Sequence, residues 1–259
     1  MDLLLILKLL VAPGLVAAVT LAVRRWGPAI GGWLSGMPVV AGPVLVFIAI
    51  EQGLAFGAEA AHSTLAGLIG TVAFAVVYAR TSVRMTWPGS LAAGWLTFAA
   101  TTSVLYALQP SLVISLVCLF VATTLGRRVL PAVKVPALPA ASPRGDLAVR
   151  LLATAALVLA LTAAAARLGP RLSGLLNAFP VLTTIITAFT HAQRGTGATV
   201  AFVDAFLRSI IGFGLFCFVL ATTLDRIGLV PALCLAMVAQ LMVSGLTLRA
   251  FRPVRFSES

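Results

Sequence analysis

Nine long apolar runs follow one another along the chain, near 3–23, 29–50, 58–79, 88–108, 110–126, 147–166, 170–191, 198–222 and 228–248. A bilayer core of about 30 Å takes about 20 apolar residues as a helix, and backbone facing lipid must satisfy its hydrogen bonds internally. Each run therefore predicts a membrane-spanning helix. A water-soluble fold covers its core with roughly a quarter charged residues. This chain of 259 residues is 61% apolar and 10% charged, with a mean hydropathy of +1.10, which excludes that class.

The net charge of +11 does not form a basic face for nucleic acid, because Lys and Arg sit in the gaps between apolar runs. Asp2 and Lys8 interrupt the first run, so it does not read as a cleaved leader and is expected to stay in the mature protein. Cys118, Cys217 and Cys234 lie inside apolar runs without metal-ligand spacing and are expected to be small buried apolar residues.

The fifth run, "PSLVISLVCLFVATTLG", is the shortest of them. After it comes "RRVLPAVKVPALPAASPRGD", whose prolines predict an extended, solvated linker. A PxxP-type ligand is the lesser alternative there. The expected organisation is one integral membrane domain in three parts: 1–109 as a first four-helix unit, 110–146 as linking helix plus linker, and 147–259 as a second four-helix unit with a short tail.

The two units share a sequence element. "GPAIGGWLSGMPV" at 27–39 lies on "GPRLSGLLNAFPV" at 169–181 under one shift of 142, matching Gly27/Gly169, Pro28/Pro170, Gly32/Gly174, Leu34/Leu176, Pro38/Pro180 and Val39/Val181. The same ungapped shift pairs Lys8 with Arg150, Arg25 with Arg167, Phe47 with Phe189, Gly53 with Gly195, Gly70 with Gly212 and Arg84 with Arg226. Apolar sequence aligns easily by accident, so the Gly, Pro and basic matches carry the inference of an internal duplication. Five spans separate equivalent helices. An odd number turns the second unit upside down, which predicts inverted repeats around one linking helix.

Loop charge gives an independent orientation, since cytoplasmic loops collect Lys and Arg. With the N-terminus outside, Arg24, Arg25, Arg80, Arg84, Arg127, Arg128, Lys134, Arg144, Arg194, Arg249, Arg252 and Arg255 fall inside, and only Arg167, Arg171 and Arg226 fall outside. The C-terminus is then cytoplasmic. The bias survives only if the short fifth run spans.

Pro38 and Pro180 fall about halfway along their runs, where a proline removes an amide donor and displaces the carbonyl four residues earlier, here Leu34 and Leu176. Freed polar backbone in hydrocarbon costs several kcal/mol per group, so both breaks are expected to face the bundle interior or a wet cavity. Two broken helices in inverted repeats form the midplane substrate site of many secondary transporters. Ser35, Pro38, Asn177 and Pro180, followed by a stripe of Thr183, Thr187 and His191 with Thr184 and Thr190 beside it, are the expected path. The plainer alternative is that the glycines allow close helix packing, the prolines kink, and the hydroxyls bond back to their own helix.

Intramembrane ionisable groups are costly and hence candidates for function. Asp204 and Arg208, four apart, share a helix face and are expected to pair; Asp204 is the repeat equivalent of His62, and Glu59 lies one turn before His62. Glu59, His62, His191, Asp204 and Arg208 are the candidates for ion coupling, against the reading that they are solvated helix ends and a self-neutralising pair. Trp26 and Trp87, beside basic loops, read as interface anchors. No HExxH, GxSxG or phosphate-loop pattern is present, so no catalytic residue, metal site or cofactor is expected and the chain does not read as an enzyme.

The paired Gly-Pro, Gly-x-Leu and Met/Phe-Pro elements, with "LVFIAIEQG" after the first and "TAFTHAQRG" after the second, resemble those of uncharacterised bacterial inner-membrane proteins of this length. The resemblance implies an inner-membrane location and a general class, and carries over no activity and no site residue. Together these features lead to the expectation of an all-α polytopic protein acting as a small secondary transporter or exporter, with protons as the coupling ion to test. The alternative is a non-transporting scaffold or accessory subunit in envelope lipid or polymer assembly. Expected partners are the bilayer and a small solute or lipid-like substrate; nucleic acid is excluded, and a homo-oligomer is left open.

Overall fold

The computed structural model describes residues 3–39, 41–133, 146–165 and 178–249. The described residues are helical and contain no strand. In chain order the helices are α1 (Leu3–Trp26), α2 (Pro28–Ser35), α3 (Ala41–Gln52), α4 (Leu54–Thr81), α5 (Trp87–Leu108), α6 (Leu112–Arg128), α7 (Asp146–Ala165), α8 (Val181–Ile227) and α9 (Leu229–Arg249). Four of them are long and apolar enough to cross a membrane: Leu54–Thr81, Trp87–Leu108, Val181–Ile227 and, within α9, Leu229–Thr247.

The boundaries have local causes. Gly27 at φ 89 ends α1, and Pro28 opens α2 with its φ already helical. The left-handed Gln109 ends α5, and Pro110 behind it cannot continue a helix. Ser111 then caps the short α6 by accepting the amide of Ile114 at 3.4 Å. The 17 residues of α6 are thus a complete helix with its own start signal, although α6 is not among the four long and apolar enough to span.

As a straight rod, the 47 residues of α8 would be about 70 Å long, more than twice a bilayer core. Gly195, at φ 76 and ψ −176, reverses it instead. Before Gly195 the chain runs alongside α4 in the same sense, with Ala178 beside Thr71 and His191 beside Tyr78. After Gly195 it returns in the opposite sense, with Thr196 bonded to the Ser82 carbonyl, Gly214 against Leu65 and Leu224 against Gly57. From Val181 onward the two limbs of this hairpin correspond to the seventh and eighth runs of the sequence, joined at Gly195.

α4 and the returning part of α8 form the centre. Leu65, Leu68, Phe74 and Tyr78 on one side and Phe202, Phe206, Leu207, Ile210 and Phe216 on the other are almost wholly buried. α2, α5, α6 and α9 pack around this pair, and α1 packs with α7. Polarity does not increase outward: Leu96 on α5, Leu152 on α7 and Val230 on α9 are 73%, 71% and 69% exposed. Such faces are unfavourable in water and at home in hydrocarbon. Cys217 is buried as expected, but Cys118 on α6 and Cys234 on α9 are exposed on outer apolar faces.

Candidate functional site

The two proline breaks share a pair of backbone hydrogen bonds. After α2, the amide of Val39 donates to the Met37 carbonyl at 2.8 Å and that of Gly42 to the Pro38 carbonyl at 2.8 Å. At the positions matched by the constant shift, the amide of Val181 donates to Phe179 at 2.8 Å and that of Thr184 to Pro180 at 2.7 Å. Pro180 sits at φ −78 and ψ 59, the inverse γ-turn that its fixed ring favours. Both prolines are buried within the protein.

One expected feature differs. The Leu34 carbonyl is not released, because the chain turns after α2 and the amide of Met37 reaches it at 3.2 Å, the tightened bond common at helix ends. Leu176 and Asn177 lie outside the described residues.

Each break leans on a helix of the other half. Thr71, midway along α4, donates its hydroxyl to the Ala178 carbonyl at 2.5 Å. The Phe179 ring meets Phe98 edge-on at 5.1 Å and lies 6.2 Å from Trp95, while Trp95 Nε1 donates to Thr184 Oγ1 at 3.4 Å. On the other side, α2 lies on α8 backbone to backbone: a Cβ at Gly32 would run into the Phe202 carbonyl oxygen, and one at Gly36 would fall 2.9 Å from that of Phe206. Gly32 and Gly36 are therefore contact points as well as parts of a break.

The expected path residues behave in two ways. The Ser35 hydroxyl turns back to Gly31 at 2.8 Å and that of Thr187 to Thr183 at 2.5 Å, each satisfied within its own helix. Thr183 and Thr184 are buried beside Pro180, and the Thr190 hydroxyl is buried with no hydrogen-bond partner among the described residues.

The expected ionisable residues are not gathered into one site. Asp204 pairs with Arg208 at 2.8 Å, as its spacing predicts, and also with Arg127 from the end of α6 at 2.9 Å. Glu59 is exposed, and His62 Nε2 lies 3.0 Å from the Pro110 carbonyl at one end of α4. His191 stands near the other end, its Nδ1 3.4 Å from the Tyr78 hydroxyl. Among the described residues no group of three His, Cys, Asp or Glu is placed to hold a metal.

A second polar cluster escaped the sequence reading. Asp146, at the start of α7, receives Arg24 from the end of α1 at 3.0 Å and Arg150 from one turn on at 2.8 Å. Gln193 donates to the same carboxylate and accepts from Arg150 at 3.1 Å. Arg194 caps the Val23 carbonyl at 3.2 Å, and the Arg150 guanidinium stacks 4.5 Å from the Phe189 ring. Asp146 and Arg150 have the same four-residue spacing as Asp204 and Arg208, which is the signal that was available; Arg24 and Arg194 read only as loop charge.

No family model, no curated protein and no solved structure matches the chain. Sequence and geometry therefore carry the assignment of class: an all-helical protein in its described residues, with four helices fit to span a bilayer.

Proposed function

We propose that the chain is an integral protein of the bacterial inner membrane, built of two inverted four-helix repeats joined by α6, and that it works as a small secondary transporter. The single observation that carries this reading is the recurrence, at positions matched by one constant shift, of the same pair of hydrogen bonds at Pro38 and Pro180. A kink made for packing requires no such copy. Supporting the inversion, α1 and α7, repeat equivalents, pack with the end of one at the start of the other through Arg24 and Asp146.

The proposed orientation has the N-terminus outside. Residue pairs assigned to one side then meet in space: Arg24 with Asp146, Ser82 with Thr196 and Arg80 with Val129 inside, and His62 with Pro110 outside. The substrate route passes Thr71, Thr183 and Thr184 and the aromatic rings of Trp95 and Phe179, with Asp204, between Arg127 and Arg208, as the coupling carboxylate. The substrate is a small solute or lipid-like molecule, and no catalytic step is assigned.

The test is cysteine accessibility. In a background with Cys118, Cys217 and Cys234 replaced by alanine, Met37→Cys and Phe179→Cys are treated with a membrane-impermeant maleimide from each side of oriented vesicles. Labelling of both residues is expected, and no labelling of either from either side removes the route.

A second reading, the scaffold in envelope lipid or polymer assembly, is favoured by one observation: the first break is held backbone to backbone on α8 at Gly32 and Gly36. It predicts silence at both cysteines and a partner protein retained through purification.

A further inference from the structure

The cluster at the junction of α1, α7 and the Gly195 turn has more positive charge than it can use. Arg24, Arg150 and Arg194 surround one carboxylate, Asp146, which leaves two charges in excess. Asp146 and Arg150 are 6% and 4% exposed and form a buried neutral pair, so Arg24 and Arg194, both partly exposed, carry the excess.

Two guanidinium nitrogens within the cluster are buried and have no hydrogen-bond partner among the described residues: Arg150 Nη1 and Arg24 Nε. The rest of the network accounts for every other polar atom that it buries. Arg150 uses Nε on Asp146 and Nη2 on Gln193, Arg24 uses Nη2 on Asp146, and Gln193 is occupied at both ends. Buried donors are rarely left unmet, and arginine is the side chain best suited to the planar, forked recognition of oxyanions. Arg24 remains a third exposed, so the cluster reaches the protein surface through it.

From these observations we infer that Arg24, Arg150 and Arg194 form a binding site for a phosphate monoester group, with Gln193 positioning Arg150 and Asp146 competing for the same guanidiniums. A phosphate monoester carries about −1.5 to −2 at neutral pH, which matches the two excess charges, whereas one carboxylate would neutralise only half of them. The group is supplied either by an anionic lipid, as in phosphatidic acid, or by a soluble phosphate. This inference is independent of the transport reading, since it needs only the folded protein.

The test is thermal unfolding of the whole protein in neutral detergent at constant ionic strength. The probes are inorganic phosphate and phosphatidic acid in mixed micelles, with chloride and phosphatidylcholine as controls. The site requires a saturable rise in Tm with at least one probe and not with its control: phosphate identifies a soluble source, and phosphatidic acid alone identifies the lipid. Arg24→Gln should weaken the apparent affinity about tenfold, the loss of one charge-assisted hydrogen bond. Arg150→Gln should weaken it further where that variant folds.

Asp146→Asn separates a ligand site from a merely structural ion pair. It removes the competing negative charge while keeping the shape, so phosphate or phosphatidic acid should bind more tightly although the unliganded protein melts earlier. No saturable response in the wild-type protein, or weaker binding by Asp146→Asn, overturns the assignment.

Discussion

Gly53 and Gly195, paired in sequence by the same constant shift as the two prolines, hold nearly the same backbone conformation: φ 96 and ψ 161 at the first, φ 76 and ψ −176 at the second. Each reverses a helix into a hairpin. Ala49 meets Gly57 across the first, and the second turns the chain back along α4. Only glycine enters this region of φ and ψ without strain. No atom lies within 4 Å of a Cβ built at either residue, so the requirement is conformational and not spatial.

Gly53→Ala and Gly195→Ala should therefore each destabilise the protein by about 1–3 kcal/mol despite open space around the new methyl group. Gly245, within α9 and also with nothing inside 4 Å, is the control, and Gly245→Ala should cost nothing. Urea or thermal unfolding in detergent compares the three. Equal stability of all variants would mean that neither turn has the conformation described.

Gly31 and Gly32 give a second comparison. A methyl at either would overlap a neighbour, but at Gly31 that neighbour is the Cγ2 of Val23 and at Gly32 it is the Phe202 carbonyl oxygen. A side-chain end can rotate, whereas the backbone of α8 cannot move without disturbing the centre. Gly32→Ala should destabilise by at least about 2–3 kcal/mol and clearly more than Gly31→Ala, an order that melting temperatures check directly.

Thr71 is the tie between α4 and the second break. Thr71→Val keeps the shape and removes the donor, leaving the Ala178 carbonyl unmet in a buried place, at a cost of about 1–3 kcal/mol. Thr71→Ser, which keeps the hydroxyl, should recover most of the loss. If valine is as stable as threonine in thermal unfolding, the bond does not hold the break.

Asp204 lies between two guanidiniums, so its replacement should cost more than the removal of either arginine. Asp204→Asn leaves Arg127 and Arg208 repelling each other in a partly exposed site and should destabilise by about 2 kcal/mol, whereas Arg127→Gln leaves the pair on α8 intact and should cost less than about 1 kcal/mol. Adding Arg127→Gln to Asp204→Asn should restore stability in part. Additive losses in this double-mutant cycle would contradict the shared carboxylate.

Most of the helices were legible because apolar run length, proline and glycine act locally. The short α6, the turn at Gln109 and Pro110, and the i,i+4 pair of Asp204 and Arg208 all follow from residues close in sequence. The hydrogen bonds shared by Pro38 and Pro180 lie at positions that the sequence already pairs by one constant spacing, which requires no contact to be known.

Contacts between distant segments were not legible, because apolar residues are interchangeable in sequence and become distinct only when packed. Nothing near Arg127 points to Asp204, 77 positions away, and nothing near Arg24 points to Asp146 and Gln193. Whether a hydroxyl lines a path or folds back on its own helix, as Ser35 and Thr187 do, likewise depends on which neighbours arrive. The chain by itself determined helical segments and the two proline interruptions. The tertiary structure decided which charges meet and which face of each helix is buried, because burial and long-range pairing exist only once helices far apart in sequence are brought together.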